Sequence, residues 1–479
     1  MPQEIKLFGL GQQSKSPNIT AMHRLNIYYD TQITGDKADV VGYGTPGTVL
    51  FSSVSSQVSR GMHWMEANNV LYVVQRGDLW AVASDGTATL KKSLTTINPT
   101  DINGRVSMAN NGTQLCIVTG TYGYIYNTST NTLTGITASL PAGGSDTVTF
   151  LDSYFIVNRA NTGQFYISGQ YDGLTWNALN FATAESNPDN LMAVMADKGY
   201  LALFGTSSTE IWVNSGELAF PFSRVNGSPS PSGLAARWSL TRCGEFITGL
   251  FKNKHGALFV GQLQGYQIVQ VSTPDIDYLF NKLTAPSDAV AFGYTLNGRI
   301  FYQISFQSDA QTWLYDVTAN AWSQLTSWGK TRHIADLGVA FNQKFVVSDY
   351  TTGSLYYLSA DAFTDNGLPI VREITGGHIF ATSRNKLRIR RLRIDMEGGV
   401  GDTSVQGSNP TIMLQISRNG GHTWGIEQWT TIGELGHFHR RAEWRRLGIS
   451  RDYVFKLRMT DPVKFVLIQA VIEGEECNK

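Results

Sequence analysis

Five arginines crowd one stretch late in the chain: Arg440, Arg441, Arg445, Arg446 and Arg451. Clustered guanidinium groups grip carboxylates bidentately and neutralise phosphates, so the stretch suits docking, either to an acidic protein surface or to nucleic acid. No catalytic group sits among them. His437 and His439, with Glu434 nearby, supply two of the ligands a metal needs and no clear third, and surface histidines beside arginines are the plainer reading. Phosphate loop, dinucleotide fingerprint, HExxH and nucleophile elbow are all missing from the sequence. A glycosidase would need paired carboxylates, or a tyrosine nucleophile with an arginine triad, and no spacing singles out such a set. The chain therefore reads as a non-enzyme with no cofactor, no metal and no small-molecule substrate.

The arginines belong to two alternating stretches split by Thr460-Asp461-Pro462. Strict alternation would turn Arg440 and Arg446 to one side and Arg441 and Arg445 to the other, with Trp444 packed between. Such a split suits ion pairs across a protein interface at least as well as DNA, and base reading would need a recognition module that is not visible. Upstream, Leu387, Ile389, Leu392 and Ile394 alternate with one offset at Arg390-Arg391, which predicts a strand with a bulge. Between these lies SRNGGHTW. Its Ser417, Asn419, Gly421, Thr423 and Trp424 resemble the Asp-box, SxDxGxTW, of sialidase-type propellers, with Asn419 in place of the aspartate. YDGLTW at 171–176 is a looser echo. In that family the box is a turn that stabilises a hairpin away from the catalytic centre, so it implies a hairpin and not hydrolysis.

What must hold these residues is mostly β. With 479 residues the chain exceeds one hydrophobic core; 16% charged residues, 11% aromatics and 48 glycines fit short strands and tight turns. The zero net charge hides a split. Residues 372–464 hold 16 Lys/Arg against 9 Asp/Glu, or +7, whereas 1–371 hold 21 against 26, or −5. Cys116, Cys243 and Cys477 are too scattered for a disulfide framework or zinc site and are expected as thiols. The opening MPQEIKLFGLGQQSKSP shows no basic-then-apolar leader, and no run reaches the roughly 18 apolar residues of a membrane helix. Folding in a reducing cytoplasm is the expectation.

Strand cores recur at Val70, Leu115, Tyr154, Tyr200, Ala257, Ile300 and Phe345, at intervals of 45, 39, 46, 57, 43 and 45 residues. That is the length of a four-stranded propeller blade. Each core is followed by a turn and an aromatic strand, such as GDLWAV at Gly77 and QTWLYDV at Gln311. The long interval contains FPFSRVNGSPSPSGLAARW, 220–238, which reads as a surface insertion. The expected layout is an N-terminal arm (1–50), a β-propeller-like domain of six or seven blades (51–370) and a C-terminal β-sandwich docking domain (371–479).

The run WRRLGISRDYVFKLRMTDPVKFVLIQAVIEG, with SRNGGHTWG before it, resembles the packaged-DNA stabilisation proteins of short-tailed bacteriophages, also called tail accessory, head-closure, tail hub or nozzle proteins. SRGMHWMEANNVLYVVQRGDLWAV, GRVSMANNGTQLCIVTG and FGTSSTEIWV follow the same family in the same order, and LNIYYD resembles its opening motif. The resemblance implies a virion tail protein assembled in the host cytoplasm: a ring, typically a homo-hexamer, added below the portal and its adaptor. There it would extend the DNA channel, retain packaged double-stranded DNA and receive a tail needle, fibre or tailspike. A sialidase-like glycosidase and a generic propeller scaffold are the alternatives.

Overall fold

The computed structural model describes residues 2–5, 12, 15–31, 40–184, 187–381, 385–403 and 406–477. Seven antiparallel sheets of four principal strands follow one another, as the strand periodicity predicts. They occupy 59–93, 107–135, 148–183, 191–224, 233–270 and 290–325, and the seventh combines 335–359 with Gly47–Ser53. We number them blades 1 to 7.

Period-2 alternation explains why these sheets form a ring. In the second strand of blade 1, Tyr72 and Val74 enter the core shared with blade 2, whereas Leu71 and Val73 enter the core shared with blade 7. Blade 2 repeats the pattern, with Leu115 and Ile117 on one side and Cys116 and Val118 on the other. Both faces of each central strand are buried, hence the near-continuous apolar runs. Each neighbouring pair of blades shares one such core, seven in all, and the last joins Phe341, Val346 and Leu355 of blade 7 to Leu71, Val73 and Val82 of blade 1. The circle is closed.

Closure uses a strand from far away in sequence. Gly47–Ser53 runs antiparallel to Ser354–Ser359, with Thr48 opposite Leu358 and Ser53 opposite Ser354. The segment 220–238 does not project as an insertion. Phe222–Arg224 is the outer strand of blade 4, Gly233–Leu234 opens blade 5, and Ser228 and Ser230 between them are buried. The extra spacing is folded into the wall of the ring.

Thr364–Asp365 and Leu368–Pro369 extend the sheet of blade 7 beyond Gly47–Ser53, and the other remaining strands form a two-sheet sandwich. One sheet has the order 27–31, 40–44, 466–477, 386–396, 442–450, with 2–5 also on the long 466–477 strand. The other runs 23–25, 372–375, 454–459, 411–417, 428–431. Between them lies a core that includes Ile389, Leu392, Trp444, Phe455, Leu457 and Leu467. The second sheet continues into blade 6, because Leu25 pairs in parallel with Gln324. The N-terminal segment is thus the joint between the two bodies. Arg24, 1% exposed, lies over the Tyr29 ring at 4.7 Å and donates through Nε and Nη2 to the Trp322 carbonyl at 3.1 and 2.6 Å. Asn26 bonds the carbonyls of Thr326 and Val371, and Arg299 of blade 6 reaches Asp30 at 2.7 Å.

Candidate docking surface

Strand Ala442–Ser450 is outermost in its sheet and pairs only with Lys386–Met396 among the described strands. Its free side is a sheet edge, and all five predicted arginines lie along it. Arg440 and Arg441 precede the strand, Arg445 and Arg446 sit within it, and Arg451 follows it; all five are exposed. They form a stripe about 30 Å long rather than a compact cluster.

The two-sided split expected from alternation does not occur. Arg445 lies opposite Arg391 and Gly448 opposite Ile389, so Arg446 and Leu447 together face Arg390 alone. Arg446 takes a left-handed φ of 61° to make this bulge. Ala442, Trp444 and Leu447 point into the core, and Arg445 and Arg446 both point to solvent. The indole N–H of Trp444 donates to the Gln428 carbonyl at 2.9 Å, tying the edge to the other sheet. The bulge read at Arg390-Arg391 is present on the other side of its strand, where Arg390 is the extra residue between the Ile389–Gly474 and Arg391–Glu473 pairs. The side-chain assignment is defeated by a second bulge, on the arginine strand itself at Arg446-Leu447.

The stripe is electrostatically uneven. Arg445 bonds Glu443, which also meets Arg393 at 3.1 Å and Arg391 at 3.4 Å. The Arg445 hydrogen bond, with Arg393 behind it, holds the Glu443 carboxyl below its ordinary range. Arg441 reaches Asp395 at 3.3 Å, and Arg390 pairs with Glu475 at 2.8 Å. Arg440, Arg446 and Arg451 have no carboxylate within ion-pair distance among the described residues. Their charge faces water. His437 and His439 lie exposed in the loop before the strand, and among the described residues no group of three metal-ligating side chains gathers.

SRNGGHTW makes the turn that leaves strand Thr411–Ser417 and precedes Gln428–Thr431. Ser417, fully buried, accepts the Gly421 N–H at 2.9 Å. Asn419 accepts the Thr423 N–H at 2.9 Å, as a carboxylate would, and its amide N–H donates to the Thr423 hydroxyl at 2.8 Å, where a carboxylate could only accept. Gly421 has φ +89°, and a Cβ there would stand 3.0 Å from Ala21, so glycine suits both the turn and the close approach of the arm. Trp424 lies under the Lys456 ammonium at 4.1 Å. In blade 3, Asp172 closes a tighter turn by accepting from both the Leu174 N–H and the Thr175 hydroxyl.

Sequence reasoning missed the apolar side chains beside the stripe. Ile426 and Trp429 flank or lie on the edge strand of the second sheet, Leu435 and Phe438 lie in the loop that joins the two edges, and Ile449 lies on the arginine strand; all are exposed. Only the pairing order shows that both sheets end on this side.

Family models decide the assignment. The bacteriophage P22 Gp10 β-propeller matches residues 6–363, and the bacteriophage P22 Gp10 β-sandwich matches 376–475. The chain belongs to the bacteriophage P22 Gp10 family. It is a phage stabilisation protein, a structural component of the virion, and its fold is the propeller followed by sandwich that both Gp10 models name. No curated protein matches the sequence. Solved structures that resemble it include the computationally designed Ika8 protein, at 10% identity over 70% of this chain and 97% of that one, TM-score 0.39. A chain of the mitotic checkpoint complex matches at 10% identity over 68% and 96%, TM-score 0.40. At those scores neither adds to the Gp10 assignment.

Proposed function

We propose that this Gp10-family chain closes the head of a short-tailed phage: a ring, a homo-hexamer, seated below the portal and its adaptor. The ring extends the DNA channel, keeps the packaged duplex from leaking and offers its far side to a tail needle, fibre or tailspike. The observation that carries the reading is the match of stabilisation-protein models to both bodies of the chain, leaving only a short linker and the termini outside. Support also comes from the surface: an arginine-lined edge on the basic sandwich. Ring contacts between unlike surfaces require two complementary patches on each copy. The split between 1–371 at −5 and 372–464 at +7 supplies the charge for them.

Electron microscopy of the purified chain mixed with portal and adaptor tests this. A stacked ring on the portal is expected, and it should weaken as ionic strength rises, because exposed arginine contacts are screened within about 10 Å at 0.1 M salt. A chain that stays monomeric and indifferent to portal complexes would sink the reading.

A further inference from the structure

We infer that the edge formed by Gln428–Thr431 and Ala442–Ser450, with the loop between them, is the contact through which one copy grips the acidic propeller side of a second copy. The inference rests on the head-closure reading and names the partner of its arginine stripe. Three observations carry it.

The first is exposed apolar surface in the wrong place for a solvated face. Ile426 is 83% exposed, Phe438 71%, Trp429 61%, Leu435 61% and Ile449 43%. Scattered apolar side chains need no account, but five on one side of one small domain, interleaved with arginines, have the composition of a protein interface core, where aromatic residues and Arg are enriched. A phosphate backbone would use the guanidinium groups and leave the rings wet, so a polypeptide fits better than DNA.

The second is the unmet charge. Arg441 and Arg445 already have carboxylates, whereas Arg440, Arg446 and Arg451 have none among the described residues. The chain as a whole has equal numbers of acidic and basic residues, with the acidic excess in 1–371. A head-to-tail contact between copies brings that excess to the three unpaired arginines.

The third is the bulge. Positive φ at Arg446 and charge at Glu443, Arg445 and Arg446 block a neighbouring strand from adding to this edge. The contact must be made by side chains, which leaves the edge closed to uncontrolled stacking while the rings and arginines remain available.

The test places the photo-crosslinker p-benzoylphenylalanine at Phe438, and separately at Trp429, in particles assembled from a mixture of ¹⁴N- and ¹⁵N-labelled chains. Mixed-isotope cross-links that land within 47–371, the propeller, of another copy are expected. Cross-links only to a different virion protein, only to DNA, or to nothing overturn the inference. Two double variants, Arg445→Glu with Arg446→Glu and Phe438→Ser with Trp429→Ser, should each lower incorporation into particles by roughly tenfold or more while melting like the parent. A DNA grip would respond to the arginine pair alone, so normal incorporation of the apolar pair also overturns it. Absence of the unsubstituted parent chain from particles would strike the head-closure reading as well; particles that contain it, with probes linked elsewhere, strike only this inference.

Discussion

Two outer strand positions in this molecule meet opposite fates. Beyond Ser354–Ser359 in blade 7, the position is filled by the chain's own Gly47–Ser53, an uncharged strand held on one side by the ladder and on the other by Ala362 and Asp365. Beyond Lys386–Met396 in the sandwich, the outermost strand Ala442–Ser450 stays open and carries a bulge and arginines. An edge that the chain covers needs tight backbone fit, and an edge left open needs charge and irregular geometry. Substitutions at the first should act on folding; substitutions at the second should act on assembly.

The largest expected effect falls on the covered edge. Gly47 donates its N–H to Ala362, and a Cβ at this glycine would stand 2.3 Å from the Thr364 carbonyl oxygen and 2.5 Å from that of Ala362. Gly47→Val must displace backbone, so we expect a loss of about 3 kcal/mol in stability, read as a lower thermal midpoint of the propeller. An unchanged midpoint would mean that the closing strand is dispensable, and the contrast between the two edges would lose its physical basis.

Next in size is the joint that connects the two bodies. Arg24→Met keeps much of the apolar stem but removes both guanidinium bonds to Trp322. Leaving that buried carbonyl short of donors costs about 2 kcal/mol. Calorimetry should show sandwich and propeller melting further apart than in the parent; co-melting at the parent temperature would assign the joint's strength elsewhere.

These two sites also mark what sequence could and could not reveal. Seven strand cores were legible because every central strand buries both faces, as at Leu71 to Val74, and the Asp-box-like turn was legible because its donors and acceptors are local. The seventh blade's outer strand was not legible. Gly47–Ser53 finds its partner about 300 residues away, and nothing in GTVLFSS names Ser354–Ser359. Arg24 looks like an ordinary basic residue in a polar arm until Tyr29 and Trp322 close around it. The arginine stripe was found by composition, but its facing was misread, since one bulge residue shifts every later side chain to the other side.

Acid should separate the bodies as well. Burial pushes the His63 imidazole on the propeller's inner wall down to about 4, and Asn110 donates to its Nε2. Burial also lowers His23 in the joint and His333 before blade 7. The unfolded chain takes up protons near the ordinary value of 6.5, which the folded chain refuses until well below it. Stability is therefore fully present above about pH 6.5 and falls as pH drops towards 4. Thermal midpoints measured between those limits should fall first for the propeller, and His63→Gln should flatten part of the slope; a pH-independent propeller midpoint would contradict this.

The smallest effect is expected at the open edge itself, and it sharpens the comparison most. Glu443 is the carboxylate shared by Arg391, Arg393 and Arg445; Glu443→Gln takes the carboxylate from Arg445 and one of two from Arg391 and Arg393, which keep Glu473 at 3.6 and 3.3 Å. Because these groups lie at the surface, solvent and salt take up most of the change, and stability should move by less than about 1 kcal/mol. What changes is the charge offered outward: Arg445 joins Arg440, Arg446 and Arg451 as a cation without a near partner. If the edge works by presenting unmet positive charge to an acidic surface, the variant should assemble at least as well as the parent at low salt and lose that gain at high salt. If instead the ladder of ion pairs is what shapes the edge, assembly should fall at every ionic strength, and the open edge would then resemble the covered one, held by fit rather than by charge.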